Sequence, residues 1–135
     1  MQTKFPYVGS SRPRGRYRLV LGVVSVPPAF LEQVVPTNST PWAYWRKAGL
    51  VVRASGESVT VRVPQAWRNR VAITWGNRPD IVSSLRIAGC GSAPEAGNAY
   101  AGGFYLRSRS ACVPLNFRVG RRSATIRFGL GRPCT

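Results

Sequence analysis

From residue 50 onward the chain alternates apolar and polar side chains in short runs cut by Gly, Pro, Asn and Ser. The runs are LVVRA (50–54), ESVTVRVP (57–64), VAITWG (71–76), IVSSLRIAG (81–89), NAYAGGFYLRS (98–108), CVPLNFRVG (112–120) and SATIRFGLG (123–131). A period of two marks half-buried strands, and no segment keeps the 3.6 period of a normal helix. Ser55-Gly56, between the first two runs, suits a tight hairpin. One triplet recurs as Val61-Arg62-Val63, Leu85-Arg86-Ile87, Phe117-Arg118-Val119 and Ile126-Arg127-Phe128. In a strand each triplet sends two apolar groups to the core and one Arg the other way. A turn at Arg121-Arg122 would set Val119 opposite Ala124, Phe117 opposite Ile126, and Leu115 opposite Phe128. Asn116, Arg118, Thr125 and Arg127 then share the outer face. Many short strands with such turns predict an all-β fold: an antiparallel β-sandwich, Ig-like or a partly open barrel, of about seven to nine strands.

Ahead of this region the pattern is less regular. Residues 1–18 mix Pro, Gly, Ser and spaced Arg, and read as a flexible basic arm before a single domain over 19–135. LVLGVVSV (19–26) resembles the apolar part of a signal peptide, but Pro27 and Pro28 stop it and no A-x-A-like site follows. It is read as a buried strand. No stretch approaches the ~20 apolar residues of a membrane span. Residues 27–49 hold four prolines and read as a long irregular connection with one short helical turn near FLEQ. Asn38-Ser39-Thr40 matches a glycosylation sequon, weakened by Pro41.

Composition adds an electrostatic expectation. The 135 residues are 44% hydrophobic, as in a globular domain, yet carry 20 Lys+Arg against 4 Asp+Glu, for a net charge of +16. All the basic residues except Lys4 and Lys47 are Arg, and the acids are Glu32, Glu57, Asp80 and Glu95. So strong a balance attracts polyanions, and Arg suits bidentate phosphate or carboxylate contacts; a GC-rich codon bias is the compositional alternative. The candidate polyanion-binding residues are Arg62, Arg86, Arg118 and Arg127 on strands, with Arg121 and Arg122 at a turn. Arg12, Arg14, Arg16 and Arg18 of the arm would add nonspecific attraction. The expected partners are an anionic envelope polymer or lipid headgroups, with nucleic acid as the alternative and a structural or protein-partner role third.

The residue types that run catalysis are sparse. The chain has no His, its four carboxylates are scattered, and it holds no G-x-S-x-G, P-loop or G-x-G-x-x-G. A non-enzymatic protein without cofactor or metal is expected. WAYWRK (42–47) clusters Trp42, Tyr44 and Trp45, which would either stack on sugar rings or bases or plug the sandwich where the connection enters it. Trp67 and Trp75 are assigned to the core. Gly102-Gly103 inside a strand pattern indicates a bulge or a close backbone approach, most often by a neighbouring strand. Cys90, Cys112 and Cys134 match no metal spacing. If the strands over 81–89, 98–107, 113–119 and 123–130 form a meander, Cys112 and Cys134 lie at one end and pair, with Cys90 the spare thiol. Three connectivities are possible, and three thiols in a reducing compartment are the alternative.

WRKAGLVVRA, VTVRVPQAWRNRVAITWGN and NAYAGGFYLRSRSACVPLNFRVG together resemble a group of uncharacterised, predicted exported proteins of actinobacteria, over about residues 18–134. The resemblance implies a β-rich domain outside the membrane with a link between cysteines. It implies no activity and no catalytic residues, and this chain departs from it in lacking a clear signal peptide.

Overall fold

The computed structural model describes residues 17–53, 57–76, 80–88 and 97–134. Among them run thirteen strands: β1 (Arg18–Val20), β2 (Val24–Val26), β3 (Phe30–Leu31), β4 (Val35–Pro36), β5 (Tyr44–Lys47), β6 (Leu50–Arg53), β7 (Val59–Arg62), β8 (Val71–Trp75), β9 (Ser84–Ile87), β10 (Gly97–Tyr100), β11 (Gly102–Leu106), β12 (Ala111–Val119) and β13 (Arg122–Leu130). The fold is all-β and sandwich-like, as the alternation predicts. The strands are shorter and more numerous than seven to nine.

One layer is a five-stranded sheet in the order β3-β13-β12-β7-β9. Its pairs are antiparallel except for β3 beside β13. Alternation builds β12, one of its two nine-residue strands: Ala111, Val113, Leu115, Phe117 and Val119 are all buried, and the residues between them are not. The other layer is a bent ribbon. β5 pairs with β11 through Lys47 opposite Gly103, and β6 pairs with β10 through Leu50 opposite Tyr100, so one register continues across the break. Around this ribbon β6 also holds β2 and then β1, β5 holds β4, and β11 holds β8.

The bend has a visible cause. Trp75 reaches into the gap and its Nε1–H donates to the Ala48 carbonyl at 2.6 Å, in a buried position. A Cβ on Gly102 would collide with the Thr74 carbonyl and the Trp75 ring, and one on Gly103 with the Arg46 carbonyl. The two glycines therefore serve the close approach of neighbouring strands. The layers meet where Phe104 packs on Phe128 at 5.3 Å between ring centroids, and within its own layer Phe104 also meets Trp75 at 5.5 Å. Phe104, Phe117 and Phe128 are fully buried, each contributing roughly 1.5–3 kcal/mol by removal from water.

Several sequence expectations are corrected. Residues 19–26 form a hairpin rather than one strand, turning at Leu21 and Gly22, both with positive φ, so that Val20 faces Val24. Arg18 belongs to β1 and not to an arm; Arg12, Arg14 and Arg16 lie outside the described residues. FLEQ holds β3 and no helical turn, and the only helical element described is a short 3₁₀ turn at Gln65–Trp67. β6 and β7 do not pair as a hairpin but cross from one layer to the other. The four-strand meander is replaced likewise, because β10 and β11 join the bent ribbon while β9 pairs with β7. In the β12–β13 hairpin, Val119 faces Arg122, Phe117 faces Ala124 and Leu115 faces Ile126. Gly120, at φ 61°, takes the first central position of a two-residue turn, which moves every partner by two from the expected register. A shift of two preserves both faces, so Ala124, Ile126 and Phe128 still turn toward the core.

Candidate functional site

The candidate arginines of four strands come together. On the solvent side of the five-stranded sheet, one row across the strands reads Arg86, Thr60, Arg118, Ser123, and the next reads Ser84, Arg62, Asn116, Thr125. Arg127 follows opposite Pro114. Arg62, Arg86, Arg118 and Arg127 are all exposed. Arg62 is diagonal to both Arg86 and Arg118, a backbone separation of ~7–8 Å in a sheet. Arg86 and Arg118 stand two strands apart, roughly 10 Å. No residue bearing a carboxylate belongs to these rows. The intervening groups are Ser, Thr, Asn and Pro, so the face is cationic and rich in hydroxyls.

Local bonds orient some of these side chains. Arg86 Nε donates to Ser58 Oγ at 3.1 Å, Arg118 Nε donates to the Gly120 carbonyl at 3.2 Å, and Asn116 Nδ2 donates to Thr125 Oγ1 at 3.4 Å. In the first two the bond engages Nε and not the two terminal nitrogens of the guanidinium. Arg121 is exposed at the turn. Arg122 departs from the face: it follows the inward parity of β13, donates to the Leu21 carbonyl at 3.1 Å, and lies 3.8 Å from Glu57.

The aromatic cluster is divided by strand alternation. Tyr44 turns inward, packed against the core, while Trp45 turns outward and meets Tyr105 of the adjacent strand at 4.6 Å between centroids. Trp42 lies beside Arg107, whose guanidinium carbon is 5.6 Å from the ring centre. Trp67, assigned to the core, is only half-buried and carries the Arg70 guanidinium at 3.8 Å. Trp75 is core, as expected.

Two partly buried arginines escape a reading of alternation. Arg18 donates to the Pro27 and Arg127 carbonyls and sits 5.0 Å from the centre of the Phe128 ring; burial lowers its pKa. Arg46, opposite Phe104, has its pKa lowered by burial and partly restored by Tyr17. Its buried Nε finds no acceptor among the described residues.

Cys112 and Cys134 form a disulfide with a Cα–Cα distance of 5.2 Å. The pairing survives the loss of the meander because it depends on the terminal hairpin alone. Cys112 faces Gly129, and after β13 the chain folds back so that Cys134 lies over Gly129, where a side chain would obstruct it. Cys90 lies outside the described residues. No group of three or more His, Cys, Asp or Glu that could hold a metal occurs among the described residues. No helix described is long and apolar enough to cross a membrane. No model of a known protein family matches the chain, and no curated protein matches it.

Proposed function

We propose that this chain is a non-enzymatic, extracytoplasmic β-sandwich domain that associates with the cell envelope. The outer face of its five-stranded sheet would contact an anionic polymer or lipid headgroups. One observation carries the reading: Arg62, Arg86, Arg118 and Arg127 share one face of one sheet, with no carboxylate-bearing residue in the rows between them. Like charges at such spacings repel one another, and an anion laid over them removes that penalty. Arginine forks oriented through Nε retain the pair of N–H groups that grips phosphate or carboxylate. The disulfide supports an oxidising compartment.

The test is a salt titration of binding to anionic liposomes, purified wall polymer and duplex DNA, beside zwitterionic liposomes. Binding to the anionic envelope material should weaken steadily with salt and drop in an Arg62→Gln/Arg118→Gln variant. Absence of binding near physiological salt, where the Debye length is ~8 Å, overturns the reading. Preference for DNA in a protein whose three cysteines are free transfers the face to nucleic acid instead.

A further inference from the structure

A second set of rows crosses the other layer, on the opposite side of the sandwich. Trp45 and Tyr105 stand side by side on the solvent face of β5 and β11. Extending the β8–β11 register by one residue sets Arg107 opposite Arg70, and the Arg107 N–H donates to the Arg70 carbonyl at 3.3 Å. By alternation these two arginines face the same way as Tyr105, one row along, about 6.8 Å in a strand. Each is flanked by an indole: Arg107 by Trp42 at 5.6 Å and Arg70 by Trp67 at 3.8 Å. The row therefore reads Trp42, Arg107, Arg70, Trp67, with the Trp45–Tyr105 pair beside it. Both arginines are exposed, and the four rings are half-buried.

We infer that this platform is a binding site for an acidic oligosaccharide, in which a pyranose ring lies on Trp45 and Tyr105 while a uronate carboxylate is held by Arg70 and Arg107. A cross-strand aromatic pair presents an apolar surface that suits the C–H face of a sugar ring. A guanidinium resting on an indole keeps its N–H edge free in the ring plane, and its orientation is already set before a ligand arrives. The platform's rows contain no carboxylate, so their charge complements an acid and not a neutral glycan. The inference is independent of the arginine face on the five-stranded sheet, because the two sites share no residue.

Calorimetric titrations with an oligogalacturonate, a neutral hexose oligosaccharide of equal length and a single-stranded oligonucleotide test it. The uronate should bind, and the neutral sugar should bind roughly tenfold or more weakly. Trp45→Ala and Arg107→Gln should each weaken the uronate roughly tenfold, whereas Trp45→Phe and Arg107→Lys, which keep a ring and a charge, should lose less. Arg62→Gln/Arg118→Gln should leave this titration unchanged while weakening the salt-sensitive binding of the other face. Three results overturn the inference: no uronate binding near physiological salt, loss through Arg62→Gln/Arg118→Gln but not Trp45→Ala, or tighter binding of the oligonucleotide through these same residues.

Discussion

Replacing Cys112 and Cys134 together by Ser should destabilise the fold by roughly 3 kcal/mol, a value set by the loop that the bond closes. The two cysteines are 22 positions apart. The chain-entropy relation for a closed loop of about that length, evaluated near 25 °C, gives this figure before any native-state term. For a chain of 135 residues the entropy of unfolding is about 0.3 kcal/mol per degree, so the midpoint should fall by roughly 10 °C. Thermal unfolding followed by circular dichroism, with and without a phosphine reductant, measures it. The reduced wild-type protein and the double variant should melt together, since Cys90 is unchanged in both. Thiol titration of the unreduced, denatured wild type should find one free thiol of three. The structure adds a local signature: once the bond is gone, the segment folded back over Gly129 should lose amide protection before the β12–β13 ladder does. A double variant melting within about 3 °C of wild type under oxidising conditions would refute the closure argument.

Other outcomes follow from the core and the charges. Trp75→Phe keeps a ring but leaves the buried Ala48 carbonyl without its donor, and should cost about 2–4 kcal/mol in urea unfolding. A double-mutant cycle on Glu57 and Arg122 should give a coupling below ~0.5 kcal/mol, because both side chains are about half exposed across a 3.8 Å gap. Burial raises the pKa of Tyr100 above its ordinary 10.0, so the folded state keeps a proton that the unfolded chain releases. That contribution is complete below about pH 10 and is lost as pH climbs through the folded value; Tyr100→Phe should flatten the alkaline loss of stability.

Much of the site was legible in one dimension. The outward direction of Arg62, Arg86, Arg118 and Arg127 follows from each lying between two apolar residues that must be buried, and a register shift of two leaves it unchanged. Arg122 is expected at the turn because a turn tip has no alternation to read; the tight turn at Gly120 puts it in β13 instead. Trp42 and Trp45 stand out in the sequence as an aromatic cluster, but nothing in it marks Tyr105, Arg70 and Arg107 as their neighbours. These residues come from segments some 40 to 60 positions apart, and only pairing brings them together.

Periodicity alone therefore settles which side of a strand each residue occupies, since a period of two is a property of the extended backbone and not of its neighbours. Tertiary structure decided which strands are neighbours. Backbone amides pair with any partner, and a two-residue slip leaves both faces intact, so alternation is silent on partner and register alike. Close packing breaks that degeneracy. Trp75 filling the bend, the glycines that admit the adjoining carbonyls, and Phe104 against Phe128 select one arrangement, and through it place the arginines of β7, β9, β12 and β13 on a single face.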